Sequence, residues 1–195
     1  MFLIPYFSDY FAQTKEKGGE VLKKALIIVD YQKDFVDGVL GFKEAEALEK
    51  PIARRSEQAL EEGWDLLFTL DVHDESYPQT IEGKHIATHC RRESEGAQLY
   101  GAVKAFLPKA KAAFEKQTYG SLELADYLKK QQYEEVELAG VVTDICVLSN
   151  AVLVRSTLPQ AEITVNRRLV ASPDYDKQQK ALDIMAGLHI NITEM

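Results

Sequence analysis

The run Ala25-Leu26-Ile27-Ile28-Val29-Asp30 is apolar at five successive positions and then stops on a carboxylate. A strand with one wet face alternates apolar and polar side chains. A run without that alternation predicts a strand covered on both faces, as in parallel sheets whose crossover connections lay helices above and below. Trp64 to Leu70 predicts a second strand, Lys111 to Lys116 a short third, and Val136 to Val142 a fourth. Glu162 to Asn166 and Leu188 to Thr193 supply two more. Helical stretches separate them: Glu44 to Glu62, with Gly63 as its stop, then Leu122 to Gln132, Ile145 to Leu158 and Tyr175 to Ala186. Such alternation specifies an α/β domain of three layers (α/β/α, Rossmann-like) around a six-stranded, mostly parallel sheet.

A chain of 195 residues with 46% hydrophobic content suits one such domain, placed here at residues 24–195. Residues 1–23 form an N-terminal extension. Lys15-Glu16-Lys17-Gly18-Gly19-Glu20 can be encoded almost wholly by purines, as a ribosome-binding sequence is, which predicts a natural start at Val21 or Leu22. A short added N-terminal helix is the competing expectation. The net charge of -8 argues against nucleic acid or an anionic membrane as partner. Two cysteines, Cys90 and Cys146, build no disulfide framework, so a reducing compartment, the cytoplasm, is expected. No apolar run reaches the length of a membrane span.

In open parallel sheets ligands bind beyond the carboxyl ends of the strands. Four reactive side chains fall there: Asp30 closes strand one, Asp71 strand two, Lys116 strand three, and Cys146 follows strand four. Thr143 is a favourable N-cap, which puts Cys146 at the third helical position beside unpaired amides and the positive end of the helix dipole. That setting favours a thiolate nucleophile. Lys116 would stabilise the anion, while Asp30 takes the thiol proton and returns it to a leaving amine. A histidine brought in by the fold is an alternative base. The Cys146 amide, with another from Gly140-Val141-Val142-Thr143, can receive the oxyanion.

The long polar segment Asp71 to Gln98 carries a second constellation. In Asp71-Val72-His73 the outer side chains share one side of an extended chain. With His89, and Glu82 or His85 between, they form a donor set suited to a divalent metal: zinc first, with iron or manganese also compatible.

Four ordered blocks resemble the isochorismatase-like cysteine hydrolases, and among them the nicotinamidases. They are Leu26-Ile27-Ile28-Val29-Asp30-Tyr31-Gln32-Lys33-Asp34-Phe35, then Thr69-Leu70-Asp71-Val72-His73, Lys116-Gln117-Thr118-Tyr119-Gly120-Ser121, and Gly140-Val141-Val142-Thr143-Asp144-Ile145-Cys146-Val147. The resemblance implies a triad of Asp30, Lys116 and Cys146, a cis peptide at Val141–Val142, and an oxyanion hole from the amides of Val142 and Cys146. It implies a metal on Asp71, His73 and His89, joined by Glu82 with His85 in reserve, and aromatic rings of Phe35 and Tyr119 flanking the substrate. Those two rings equally suit ordinary core packing. Ile86 stands three residues before His89, where nicotinamidases usually carry Trp or Phe. The implied reaction converts nicotinamide and water to nicotinate and ammonia through a Cys146 thioester, in NAD salvage. The alternative is another small amide or carbamoyl substrate. Relatives are often homo-oligomers. The expected strand order is 3-2-1-4-5-6, in which Lys116 must lean about 10 Å across strand two to reach Asp30.

Overall fold

The computed structural model describes residues 22–194. The expectation about residues 1–20 lies outside them. Six strands form one sheet in the order β3-β2-β1-β4-β5-β6: β1 Lys24–Val29, β2 Asp65–Asp71, β3 Ala112–Lys116, β4 Glu135–Val141, β5 Glu162–Ala171 and β6 Asn191–Thr193. Every pairing is parallel, so the expected order holds and the sheet is parallel throughout. Alternate residues of β1 serve opposite cores, which is why its sequence does not alternate. Ala25, Ile27 and Val29 pack with α4 (Leu122–Gln131), α5 (Leu148–Thr157) and α6 (Tyr175–Gly187). Leu26 and Ile28 pack with α3 (Glu49–Glu61) and the 3-10 segment Gly101–Lys109 on the other face.

Three elements depart from expectation. The predicted helix Glu44 to Glu62 is broken into α2 (Lys43–Glu46) and α3, with α1 (Lys33–Val36) a separate turn before them. Pro51 has no amide hydrogen, and its ring crowds the carbonyl four residues back, so the chain cannot run straight through Ala47. The predicted fifth strand is longer, because β5 shifts register against β4 between Leu138 and Gly140 and resumes pairing at Val170 and Ala171. Gly140 makes this possible: at φ 116°, a side chain there would sit 2.0 Å from the Val29 carbonyl. The last strand is shorter than expected, because residues 188–190 are used in turning out of α6.

The segment between β2 and β3 is ordered by backbone bonds within itself and to the exit of β1. The His73 amide donates to Cys90 (3.0 Å), the Arg92 amide to His73 (2.8 Å), and the Tyr100 amide to Tyr31 (2.9 Å). These ties lay the segment over the carboxyl edge of the sheet, where the reactive side chains stand. Among the described residues no helix is long and apolar enough to cross a membrane.

Candidate active site

Asp30 leaves β1 in a left-handed conformation (φ 47°) and is fully buried. The Thr69 hydroxyl donates to its Oδ1 at 2.6 Å, and the Lys116 ammonium faces its Oδ2 at 2.6 Å. Among the described residues no well-directed hydrogen bond fills Oδ2. Burial pushes this carboxyl above the ordinary carboxylate range, while Lys116 pulls it back.

Lys116 is the register partner of Asp71, so it stands beside β2 at the edge of the sheet. Its buried side chain crosses β2, passing Asp71 Oδ1 at 3.4 Å to reach Asp30 at 2.6 Å and Cys146 Sγ at 3.7 Å. The span set by strand spacing is covered by one extended lysine. Burial opposes the charge, but Asp30, Cys146 and Asp71 outweigh it and hold the ammonium above its ordinary range.

Cys146 is reached differently from the sequence expectation. Val142, not Thr143, is the N-cap residue, and Thr143–Val147 is a π-helical turn leading into α5. Cys146 is therefore fourth, not third, and the buried Thr143 hydroxyl caps nothing. The amides of Ile145 and Val147 both donate to the Val142 carbonyl at 3.1 Å, skipping that of Cys146. The bond from Val147, five residues on from Val142, is what widens the turn that carries the sulfur. The Val141–Val142 peptide is cis, as the resemblance implied. Burial, then the Asp30 charge, push the Cys146 thiol well above its ordinary range, against Lys116. These influences run against the thiolate that the helix position alone had favoured.

A second cluster adjoins the first through Asp71. His73 Nε2 and His89 Nε2 lie 2.8 and 3.0 Å from Asp71 Oδ2, and the three ligating atoms fall within 4.8 Å of one another. Burial works against the Asp71 charge, but bonds from His73 and His89 and the Lys116 charge hold it well below the usual carboxylate range. His89 Nδ1 lies 2.8 Å from the Ala87 carbonyl and can only donate there. Neutral His89 then turns a bare Nε2 lone pair toward a carboxylate oxygen. Two acceptors cannot satisfy each other, so the geometry calls for a cation between them, a proton or a metal ion. The residues present fit a divalent metal.

Sequence reasoning missed two supports of this cluster. Gln32 is buried and pairs with Asp71 as a strand would, its Nε2 donating to the Asp71 carbonyl and its Oε1 accepting from the Asp71 amide, both at 2.7 Å. Tyr77 lies against both imidazoles, with ring centroids 4.1 Å from His73 and 5.2 Å from His89. Gln32 lies inside the first resembling block, which was a signal. Tyr77 had none, because an aromatic in a polar loop carries no periodicity.

Both clusters open on one cavity of about 380 Å³. Cys146, Lys116, Asp71 and His89 reach it, and Phe35, Ile86 and Tyr119 supply wall. Val142 also faces it, together with Leu40 and Phe42, which were not anticipated. Phe35 packs edge-on to His89 at 5.1 Å. Glu82 and His85 line the cavity but stand outside the group of three ligating atoms. Burial, then Asp71, raise the Glu82 carboxyl.

The isochorismatase domain family matches residues 24–194. The chain belongs to the isochorismatase family. A Bacillus subtilis isochorismatase-family protein, PncA, is 32% identical over 177 residues, covering 85% of this chain and 96% of its own. The crystal structure of the B. subtilis nicotinamidase/pyrazinamidase PncA superposes with a TM-score of 0.80 at 30% identity, over 89% of this chain and 100% of that one. A Streptococcus mutans pyrazinamidase/nicotinamidase gives 0.79 at 34%, over 87% and 99%. Within the isochorismatase family the chain therefore stands with the amidohydrolases.

Proposed function

We propose that this isochorismatase-family protein is a nicotinamidase of the cytoplasm, hydrolysing nicotinamide to nicotinate and ammonia in NAD salvage. One observation carries the reading: the Cys146 thiol and the Lys116 ammonium, which is paired at 2.6 Å with buried Asp30, line the same cavity as Asp71 and His89 of the metal-ligand cluster, so amide attack and ring capture can occur on a single small molecule. The 30–34% identity to proteins called nicotinamidases supports it.

In the proposed reaction the Cys146 thiol proton passes to Asp30 Oδ2 as sulfur attacks the amide carbon. The oxyanion is received by the amides of Val142 and Cys146. Asp30 hands its proton to the departing nitrogen, the C–N bond breaks, and ammonia leaves a thioester on Cys146. Water then gives a proton to Asp30 and its oxygen to the acyl carbon, the C–S bond breaks as Asp30 returns that proton to the sulfur, and the acid is released. Lys116 holds its charge beside both the carboxylate and the sulfur throughout. Asp71, His73 and His89 would hold a divalent ion, zinc by donor type, which when bound would orient the pyridine ring through its nitrogen. Glu82 is the proposed additional ligand from the loop, with His85 in reserve. Phe35, Tyr119 and Ile86 are the proposed substrate-flanking residues.

Ile86 favours one second reading, a related cysteine amidohydrolase acting on another small amide or carbamoyl compound, because an aliphatic wall is less selective for an aromatic ring. Ammonia release from nicotinamide by wild type and Cys146→Ala, with metal analysis of both, decides. Activity confined to metal-loaded wild type supports the proposal. Turnover by Cys146→Ala removes the nucleophile, and activity in metal-free protein supports the second reading.

A further inference from the structure

Cys146 and Lys116 arrive on separate segments, and nothing in the sheet itself fixes one to the other at their carboxyl ends. Lys116 ends β3 and is followed by the loop Gln117–Ser121, while Cys146 sits in the turn before α5. Asn150, on α5 and fully buried, touches both segments. Its Nδ2 donates to the Cys146 carbonyl at 2.8 Å and to the Tyr119 carbonyl at 3.2 Å. Its Oδ1 accepts the Ser121 amide at 3.0 Å. One side-chain amide thus spends three bonds holding the nucleophile's turn against the loop that carries Tyr119 and leaves Lys116.

Gly120 gives independent support. A Cβ there would lie 2.8 Å from Leu153 Cδ1 and 3.5 Å from Ser149 Cβ, both on α5. Glycine lets this loop lie directly on the helix, at the reach that Asn150 needs. Ser121 anchors the far side of the same loop, its hydroxyl accepting the Leu124 amide at the start of α4.

We infer that Asn150 is a positioning residue that sets the placement of Cys146 relative to the Lys116–Ser121 loop. The inference rests on the proposed nicotinamidase reading for its kinetic consequence, but its geometric content concerns the thiol alone. Leucine has a similar branched shape and makes none of the three bonds. Aspartate keeps the acceptor for Ser121 and turns the two donors into acceptors facing carbonyls.

The test compares wild type, Asn150→Leu and Asn150→Asp in iodoacetamide alkylation of Cys146, followed by mass, and in kcat and KM for nicotinamide. Buried Cys90 is the internal reporter of general loosening. A misplacement on the order of 1 Å can cost up to about a hundredfold in rate. The expected result is a roughly tenfold or greater fall in alkylation and kcat for Asn150→Leu, with KM much less changed and Cys90 unreactive. Asn150→Asp is expected to fall between it and wild type. Wild-type alkylation and kcat in folded Asn150→Leu overturn the inference, as does a loss accompanied by Cys90 labelling in both variants. Should wild type fail to hydrolyse nicotinamide, the functional reading fails, and the Cys146 alkylation rates still decide the role of Asn150.

Discussion

Replacing Lys116 with methionine removes the charge that opposes every other influence on Cys146. Burial and Asp30 raise the thiol, and Lys116, 3.7 Å from the sulfur, lowers it. At that distance and an effective dielectric constant of about 20, unit charges interact by about 4 kcal/mol, or about three pKa units. The whole amount is not expected to appear. Without its partner at 2.6 Å, buried Asp30 becomes easier to protonate, and a neutral Asp30 no longer repels the thiolate. A net rise of roughly one to three units remains, which at fixed pH slows alkylation by about 10 to 1,000-fold. The sign follows from linkage. Wild-type alkylation climbs as pH rises toward the raised thiol value, and Lys116→Met moves the climb to higher pH. Iodoacetamide labelling followed by mass between about pH 7 and pH 9, roughly the range in which an ordinary thiol titrates, reads this out. Cys90 serves as control, since burial and then Asp71 raise its thiol and Lys116 lowers it, so that loss of Lys116 leaves Cys90 no more reactive. Equal labelling rates at Cys146 would refute the reasoning, for they would mean that the ammonium does not govern the sulfur.

The metal cluster has its own pH signature. Burial opposes the charge on His89, but the bond to Asp71 raises it above the ordinary 6.5. In metal-free protein this contributes stability that is complete below the unfolded value and lost as pH rises through the folded one. Tm in chelator should therefore fall across that window, whereas zinc affinity should rise, because binding expels the proton; a chelated protein whose Tm climbs there contradicts the assignment. For Tyr77, whose buried hydroxyl has no hydrogen-bond partner among the described residues, replacement by phenylalanine should leave stability unchanged or raise it by up to about 1–3 kcal/mol, read as an equal or higher Tm. Tyr77→Ala should instead weaken metal binding by about 10 to 100-fold, measured by competition with a chromophoric chelator; equal affinities for both variants would show that the ring does not support the ligands. Gly140→Ala should destabilise by more than about 4 kcal/mol, or prevent folding, since the added carbon meets the Val29 backbone. A soluble Gly140→Ala protein melting near wild type would show that β4 can move away.

Much of this protein is determined locally. Five apolar residues before Asp30 can only be a strand covered twice, and the alternation that follows leaves a parallel sheet as the arrangement that buries those runs. The carboxyl ends then place Asp30, Asp71, Lys116 and Cys146 on one edge, because chain direction is shared by all the strands. The pairing of Asp71 with His73 follows from the two-residue period of extended chain, and His89 was legible as a third donor only by its type. What the sequence could not state is anything set by contacts between distant segments. The reach of Lys116 across β2 depends on register with Asp71. What pushes the Cys146 thiol up is its burial and a carboxylate 116 positions upstream, against the bias of its helix position. Thr143 had the composition of a cap, yet the chain entering from Val142 makes a π-helical turn that leaves its hydroxyl unused. Tyr77 and Asn150 carry no pattern at all, because a hydrogen bond or ring contact across the fold leaves no trace in spacing along the chain. Local propensity and periodicity decide which segments become strands and helices; charge, burial and hydrogen-bond direction at the shared edge exist only once those segments have been packed together.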